Sequence, residues 1–444
     1  MEANITKDLL EATLNTKIIR FQVESGLKIN DEFTSPILSV DVWTQSGPNP
    51  LSLFIKFQSP NARQTYLDMN KSFETELRVY DTLVPEFEKF QEELRVTKIV
   101  PPFPQFFGGS YHPSDKKNSD LNNLLVLKDL HKQGGFRLRD KFLGLDLDHY
   151  KLVIEGQAQL HAISWAYKYT RGLKNFHDNF PFLKMVHDED METILDILDK
   201  ECHYTCENIV QDDYEAVKAL KYLSSVAPSV MGLYFTTDCL PGSVPHTKDT
   251  ILKRPVESVE NEEPWTAVCH GACWTNSMLF RYDEVTGKPI QVVFVDLQLT
   301  REGDPFTDVT YTLYCGTTRE FRTKHLTSML NLYFDTFTQI CKHFSVPCYP
   351  GWSWEEFKRR FHRAKIYGAR TVKTLPVCLK THCHSQQVVN LEESGDSRNE
   401  NVDNDEGDEF SELVKSLTKR AVIHPALRER LTGALQEFID DGII

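Results

Sequence analysis

Nowhere do about 18 apolar residues run together in this chain, and its longest strongly apolar pieces, such as Val292 to Val295, have only the length of a strand. A membrane-spanning helix is thereby excluded. The opening stretch MEANITKDLLEATLNTKIIRF breaks its apolar residues with acids and bases, so it lacks the core of a secretory signal and a cytoplasmic protein is expected. Cysteine is sparse: ten in 444 residues cannot form a disulfide scaffold, and in a reducing compartment they stay thiols. Cys202/Cys206 and Cys269/Cys273 are spaced by four, and Cys378 lies near His382-Cys383-His384. No paired C-x-x-C is present, so buried thiols are expected rather than a zinc site. The chain also lacks an excess of base. With 50 Lys+Arg against 64 Asp+Glu its formal charge is −14, which argues against a nucleic-acid or anionic-membrane binder.

What is present is enough apolar material, 40% of residues with 11% aromatic, to bury cores in two or three structural units. Residues 390–412 hold ten acids and one base and so carry −9 of the −14. Rich in Asn, Ser and Gly, this segment cannot repay the entropy of ordering and reads as a disordered surface loop or an acidic docking segment for a protein partner.

The first part of the chain is strand-rich. Residues 37–43 alternate, a Gly-Pro-Asn-Pro turn follows, and residues 51–57 resume, which is a hairpin. Over 62–84 the period changes to helical, with Phe73, Leu77, Tyr80 and Val84 in register, until Pro101-Pro102-Phe103-Pro104 breaks it. Leu124 to Leu127 is a short buried strand. From about residue 146 helical faces dominate: Val153, Gly156, Leu160 and Ile163, then Leu326 to Phe344, and finally Ala426 to Ile439. Short strands interrupt them at 266–296. The expectation is an α+β fold of two lobes: a small β-rich N-lobe at 1–130, and a helical C-lobe at 131–444 that those short strands interrupt.

A strand Lys56, a helix Glu76, a strand-to-linker passage at Leu127 to Leu130, a His-containing loop at 270 and a strand ending in Asp296 follow the order of a kinase fold. A lysine paired with a helix carboxylate holds nucleotide phosphates, and an Asp at a strand end binds the magnesium that bridges them. Singly, Lys56 reads as a solvated edge residue, Glu76 as an exposed helix charge and Asp296 as a strand-end cap. Only the ensemble points to chemistry.

Cys269-HGACWTNSMLFRYDEVTGKP-Ile290, followed by Val295-DLQLTREGDPFTDVTY-Thr312, resembles the ecdysteroid kinase-like family, which is related to choline and aminoglycoside kinases. Lys56 with Phe73-x-x-Glu76-x-x-x-Tyr80, Leu125-VLKDL-His131 and Gly156-QAQLHAIS-Trp165 agree, while Gly26, Phe33 and Ser35 fit the phosphate loop loosely. The resemblance implies a protein-kinase-like fold using ATP and Mg2+ to phosphorylate a hydroxyl on an apolar alcohol such as a steroid. It places Lys56 and Glu76 as the phosphate-positioning pair and Leu127, Lys128, Asp129 and Leu130 as the adenine-side linker. Asp296 becomes the metal ligand and Asp308 a structural Asp. For His161, a hydrogen-bonded core histidine is expected; Trp165 and Trp274 are expected in packing.

The family loop reads H-G-D-x-W-x-x-N, and this chain has Ala272 at the Asp and Ser277 at the Asn. Alanine cannot take the proton of an attacking hydroxyl, and serine is a poorer metal ligand than asparagine. His270 and Asn276 are the polar groups that remain for catalysis in the loop, and Ser277 is left with Asp296 for the metal. Asn276, one residue early, would reach the metal only if the loop shifted. Lys128, where the family usually has Glu, inverts a charge at the linker. Two readings follow: a kinase weakened in its catalytic loop, or a pseudokinase that keeps the fold as a binding or interaction module.

Overall fold

The computed structural model describes residues 5–24, 37–45, 47–58, 69–99, 101–112, 123–184, 199–200, 202–235, 264–375 and 425–444. Gly26, Phe33 and Ser35, the acidic stretch 390–412, and Cys378 with His382, Cys383 and His384 lie outside the described residues.

The N-terminal lobe runs α1 (Lys7–Leu14), β1 (Ile18–Glu24), β2 (Ile37–Thr44), β3 (Leu51–Phe57), α2 (Met69–Arg78), a π turn (Val79–Leu83), α3 (Val84–Leu94), β4 (Phe106–Ser110) and β5 (Leu124–Lys128). Its five strands form one antiparallel sheet in the order β1-β2-β3-β5-β4, and the expected hairpin is β2 with β3. Because successive side chains leave a strand on opposite faces, β3 and β5 are buried on both. Leu53, Ile55, Leu124 and Val126 join Val40, Val42 and Leu10 in an outer core. Leu125 and Leu127, with Phe54, join the larger core beneath α2. Lys56 stands opposite Leu125, and its period of two from Phe54 turns it toward that inner side.

The helical stretch expected from residue 62 until the prolines at 101–104 begins, among the described residues, at Met69 and runs to Leu94. Pro85 lacks an amide hydrogen and its ring crowds the preceding turn; the chain widens through the π turn just before it and continues as α3.

The second lobe contains β6 (Arg137–Leu138), α4 (Leu147–Arg171), α5 (Tyr214–Phe235), β7 (Ala267–Cys269), β8 (Met278–Tyr282), β9 (Pro289–Phe294), β10 (Arg301–Gly303), α6 (Phe306–Gly316), α7 (Arg319–His343), α8 (Trp354–Val372) and α9 (Pro425–Asp440). Helix α4 is its axis. Asp146 caps the start by accepting the amide hydrogens of Asp148 and His149, and Gly172 ends it in the left-handed region at φ 62°. Its length packs along α7, and α6 packs along α8. Strands β6-β8-β9 form one small sheet and β7-β10 another, and both border the loop at 270–277. The molecule is an α+β protein of two lobes with the layout of a protein kinase. Among the described residues no helix is long and apolar enough to cross a membrane.

Candidate functional site

Three elements bring charge together between the lobes. Strand β3 supplies Lys56. Helix α2 supplies Glu76 on the face it shares with the buried Phe73 and Tyr80, three residues before it and four after. The end of β9 supplies Asp296. The Lys56 ammonium lies 2.7 Å from Glu76 Oε2 and 3.3 Å from Asp296 Oδ1, and the other Glu76 oxygen accepts the Leu297 amide hydrogen at 3.3 Å. The Lys56 and Glu76 side chains are buried, whereas Asp296 is about half exposed, at 47%. Burial works against a charged Lys56, but Glu76 and Asp296 outweigh it and raise its pKa. Burial, reinforced by Asp296, pushes Glu76 up despite Lys56. Asp296 itself is left-handed, φ 61° and ψ 57°, a conformation Asp tolerates better than most residues and one that turns the chain sharply out of the strand.

Behind Asp296 lies the loop of 270–277. Gly271 has φ 88°, and a Cβ there would stand 2.0 Å from the Leu299 carbonyl oxygen, so only glycine fits. The loop hangs on Asp308, whose two oxygens accept the amide hydrogens of His270 at 2.6 Å and Gly271 at 2.9 Å. His161 sits behind, fully buried, with Nε2 3.2 Å from Asp308 and Nδ1 2.8 Å from the Tyr333 hydroxyl. Burial would raise the Asp308 carboxyl, but the hydrogen bond and charge of His161, with His270 and Arg301, bring it down to about 2. His161 is a core histidine, as its position on α4 suggests.

Both His270 ring nitrogens bond to backbone: Nε2–H donates to the Val295 carbonyl at 2.9 Å, and Nδ1 accepts the Ala272 amide hydrogen at 3.3 Å. Burial depresses its pKa, so the ring is neutral, and neither nitrogen is left to exchange a proton with a ligand. Ala272 is half-buried, and its carbonyl accepts the Trp274 amide hydrogen at 2.9 Å; the loop therefore keeps its shape without a carboxylate at this position. Thr275–Ser277 forms a 3-10 turn, and the Ser277 carbonyl accepts the Val295 amide hydrogen at 3.0 Å, which sets Ser277 beside Asp296. Asn276 and Ser277 are both buried.

The linker residues are divided in their duties. Leu127 is core, and the Lys128 amide hydrogen is donated to Gln105. The Asp129 carboxylate is engaged internally, accepting from the Ser39 hydroxyl at 2.8 Å and the Lys132 amide at 3.0 Å, so it folds the linker corner instead of facing a nucleotide. Trp165 is buried and donates its indole N–H to the Pro347 carbonyl. His161, Cys269 and Asp308 lie close enough to hold a metal among themselves. The chemistry of the cluster opposes this: Asp308 and His161 are taken up by hydrogen bonds, and burial pushes the Cys269 thiol well above the range in which a thiolate forms.

Sequence reasoning missed a buried network one turn of chain beyond Asp296. Glu302 accepts the Lys168 ammonium at 2.8 Å on one oxygen, and the Phe176 amide hydrogen at 2.7 Å on the other. The 3-10 turns that follow, Phe176–Asp178 and Pro181–Leu183, return to α2, where the Thr75 hydroxyl donates to the Phe182 carbonyl.

The sequence pattern of the ecdysteroid kinase-like family matches residues 30–346, well over half of the chain. The chain belongs to that family. No curated protein matches it. Among solved structures the ecdysteroid kinase-like chain is similar to a choline kinase from Cryptosporidium parvum, at 13% identity and TM-score 0.42, covering 96% of this chain and 91% of that one. An ethanolamine kinase from Plasmodium vivax gives 12% identity and TM-score 0.34, with 93% and 83% covered. Aminoglycoside 2'-phosphotransferase-IIIa, in its GDP complex, gives 11% and 0.34, with 93% and 98% covered.

For the magnesium that the family implies, the donors are one half-exposed carboxylate, Asp296, and the hydroxyl of Ser277, whose backbone carbonyl pairs with the residue before Asp296. These are hard oxygen donors, and Mg2+ is commonly held by one or two carboxylates with the substrate's phosphates completing its shell. They fit one ion. A second has no carboxamide at position 277 to hold it.

Proposed function

We propose that this protein is an ATP-binding phosphotransferase of the kinase fold acting on the hydroxyl of an apolar alcohol such as a steroid, with its chemical step slowed by Ala272 and Ser277. The observation that carries the reading is the closed constellation of Lys56 on Glu76 and Asp296. A buried ammonium with two carboxylates is the arrangement that orients phosphates, and maintaining it against desolvation is expensive for a chain that has no use for it. Lys56, held in place by Glu76, would meet the phosphates, and the Leu127–Leu130 stretch would run along the adenine. Asp296 and Ser277 would hold Mg2+, which when bound neutralises charge on the phosphates. His270 and Asp308 fix the loop without taking part in proton transfer. The acceptor's proton has no carboxylate at 272 to receive it and leaves to solvent. Phosphoryl transfer passes through a loose transition state and depends mainly on positioning, so turnover survives at a reduced rate.

The test is restoration. Ala272 is half-buried, and Ala272→Asp with Ser277→Asn is expected to raise transfer from labelled ATP to hydroxylated apolar acceptors by about 10²–10⁴. Transfer to none of them by the restored protein would overturn this account. Ala272 and the fully bonded His270 favour the second reading, a pseudokinase that binds a ligand or a protein partner in the cytoplasm without turnover; unchanged, undetectable transfer in both proteins with intact ATP binding would select it.

A further inference from the structure

One buried polar atom beside the site has no role in the proposed chemistry. Tyr80 is buried at 2% exposure, and its hydroxyl has no hydrogen-bond partner among the described residues. Its ring is clamped, stacked on Phe106 at 5.9 Å and edge-on to Phe103 at 6.3 Å, so the hydroxyl cannot swing out to solvent. Burial of a phenol without a partner is disfavoured strongly enough that such groups in native proteins usually have a bound water or ion. The surroundings indicate which. Tyr80 follows Glu76 by one helical turn on the same face of the helix, and it lies in the π turn, a rare conformation that resets the direction of side chains. Phe103 belongs to the segment whose Pro102 carbonyl accepts the Phe294 amide hydrogen at 2.6 Å, two residues before Asp296. The two carboxylates that bear on the phenol are Glu76 and Asp296; after burial, they are what push its ionisation up. Both are acceptors, and the phenol is a donor.

We propose that Tyr80 is a positioning residue of the nucleotide site, its hydroxyl donating through one buried water to the Glu76 and Asp296 carboxylates and holding them on either side of Lys56. The inference rests on the nucleotide-binding reading only for its functional consequence; the water and the carboxylate geometry stand apart from it. Arg322 and Arg430 also carry unbonded buried nitrogens, but they cap the carbonyl end of α6 through Thr317 and Cys315 and need no ligand.

The experiment compares the full-length protein with Tyr80→Phe, which removes one oxygen and keeps the ring clamp. Crystals of both are examined for a water within hydrogen-bond distance of the phenol oxygen, thermal unfolding is followed without ligand, and binding of ATP with Mg2+ is measured by calorimetry. The expected result is a water in the wild type that is lost or displaced in Y80F, no gain in melting temperature, and nucleotide binding weakened about 3–10-fold with Glu76 or Asp296 shifted away from Lys56. A melting temperature that rises in Y80F, absence of the water from the wild type, or binding and carboxylate positions that do not change would each overturn the proposal. If the wild-type protein binds no ATP, the kinase reading falls by itself, and the water and the carboxylate positions still decide the role of Tyr80.

Discussion

At the scale of single residues, the site is a set of buried charges whose stability depends on their partners. Lys56 and Glu76 are buried together, so removing either leaves the other without a counter-charge. Lys56→Met is expected to destabilise the protein by about 3 kcal/mol, and adding Glu76→Gln to recover most of that, since two neutral side chains avoid the buried charge altogether. Denaturant unfolding of the three proteins checks this; a double variant no more stable than Lys56→Met would show that the pair is not what the single change disrupts. Asp308 makes a prediction about acid. Its carboxyl lies at about 2 in the fold against an ordinary 3.8, so the native state favours the ionised form. The stability this contributes is fully present above pH 4 and is lost as the pH falls toward 2, about 2 kcal/mol across the window. In Asp308→Asn the unfolding free energy should be lower at pH 7 and flatter between pH 4 and 2, as measured by urea titration at each pH.

At the scale of elements, the sequence was legible wherever the pattern was local. The period of two over residues 37–57 gave the hairpin, and the apolar spacing after about residue 146 gave α4. Lys56, Glu76 and Asp296 could be chosen only from their order along the chain and the motifs around them, because nothing in a single Lys or Asp tells it from a surface charge. What stayed hidden was long-range or set by backbone geometry. Lys168 and Glu302 are 134 residues apart with no shared period, the Asp129 carboxylate turns inward because of Ser39 on a different strand, and the π turn at Val79–Leu83 answers Pro85 within a stretch whose apolar spacing reads as regular. The Glu302 network joins β10 to the 3-10 turns that brace α2. Glu302→Ala leaves the buried Lys168 without its carboxylate and the Phe176 amide without its acceptor. Hydrogen exchange at Phe176 should then accelerate about tenfold or more relative to α7, by local opening of residues 173–184. Equal exchange in both proteins would mean that the aromatic packing of Phe176 on Tyr167 holds the segment unaided.

At the scale of the whole molecule, the polar ties between the lobes include Phe294 to Pro102, Leu297 to Glu76, Thr75 to Phe182, Arg171 to Glu93 and His343 to Thr97. Each joins the N-terminal lobe to a segment of the second lobe, and the constellation itself takes two of its charged groups from one lobe and Asp296 from the other. A ligand seated on Lys56 and Asp296 therefore binds only when the lobes are docked, and it stabilises the docked molecule by mass action. At a hundred times its dissociation constant that amounts to about 2.7 kcal/mol, or about 3 °C in the melting temperature of a chain this long. The metal supplies the discriminating comparison. With Mg2+ present, Asp296 shares an ion with the phosphates; without it, the carboxylate faces them as a like charge, softened only by Lys56. ATP should thus raise the melting temperature further with Mg2+ than with a chelator, and Asp296→Asn should erase the difference while keeping a shift from Lys56. Equal shifts with metal and with chelator in the wild type would assign the phosphates to Lys56 alone, and with Ala272 and Ser277 already in the loop that outcome would make the protein a nucleotide-binding pseudokinase.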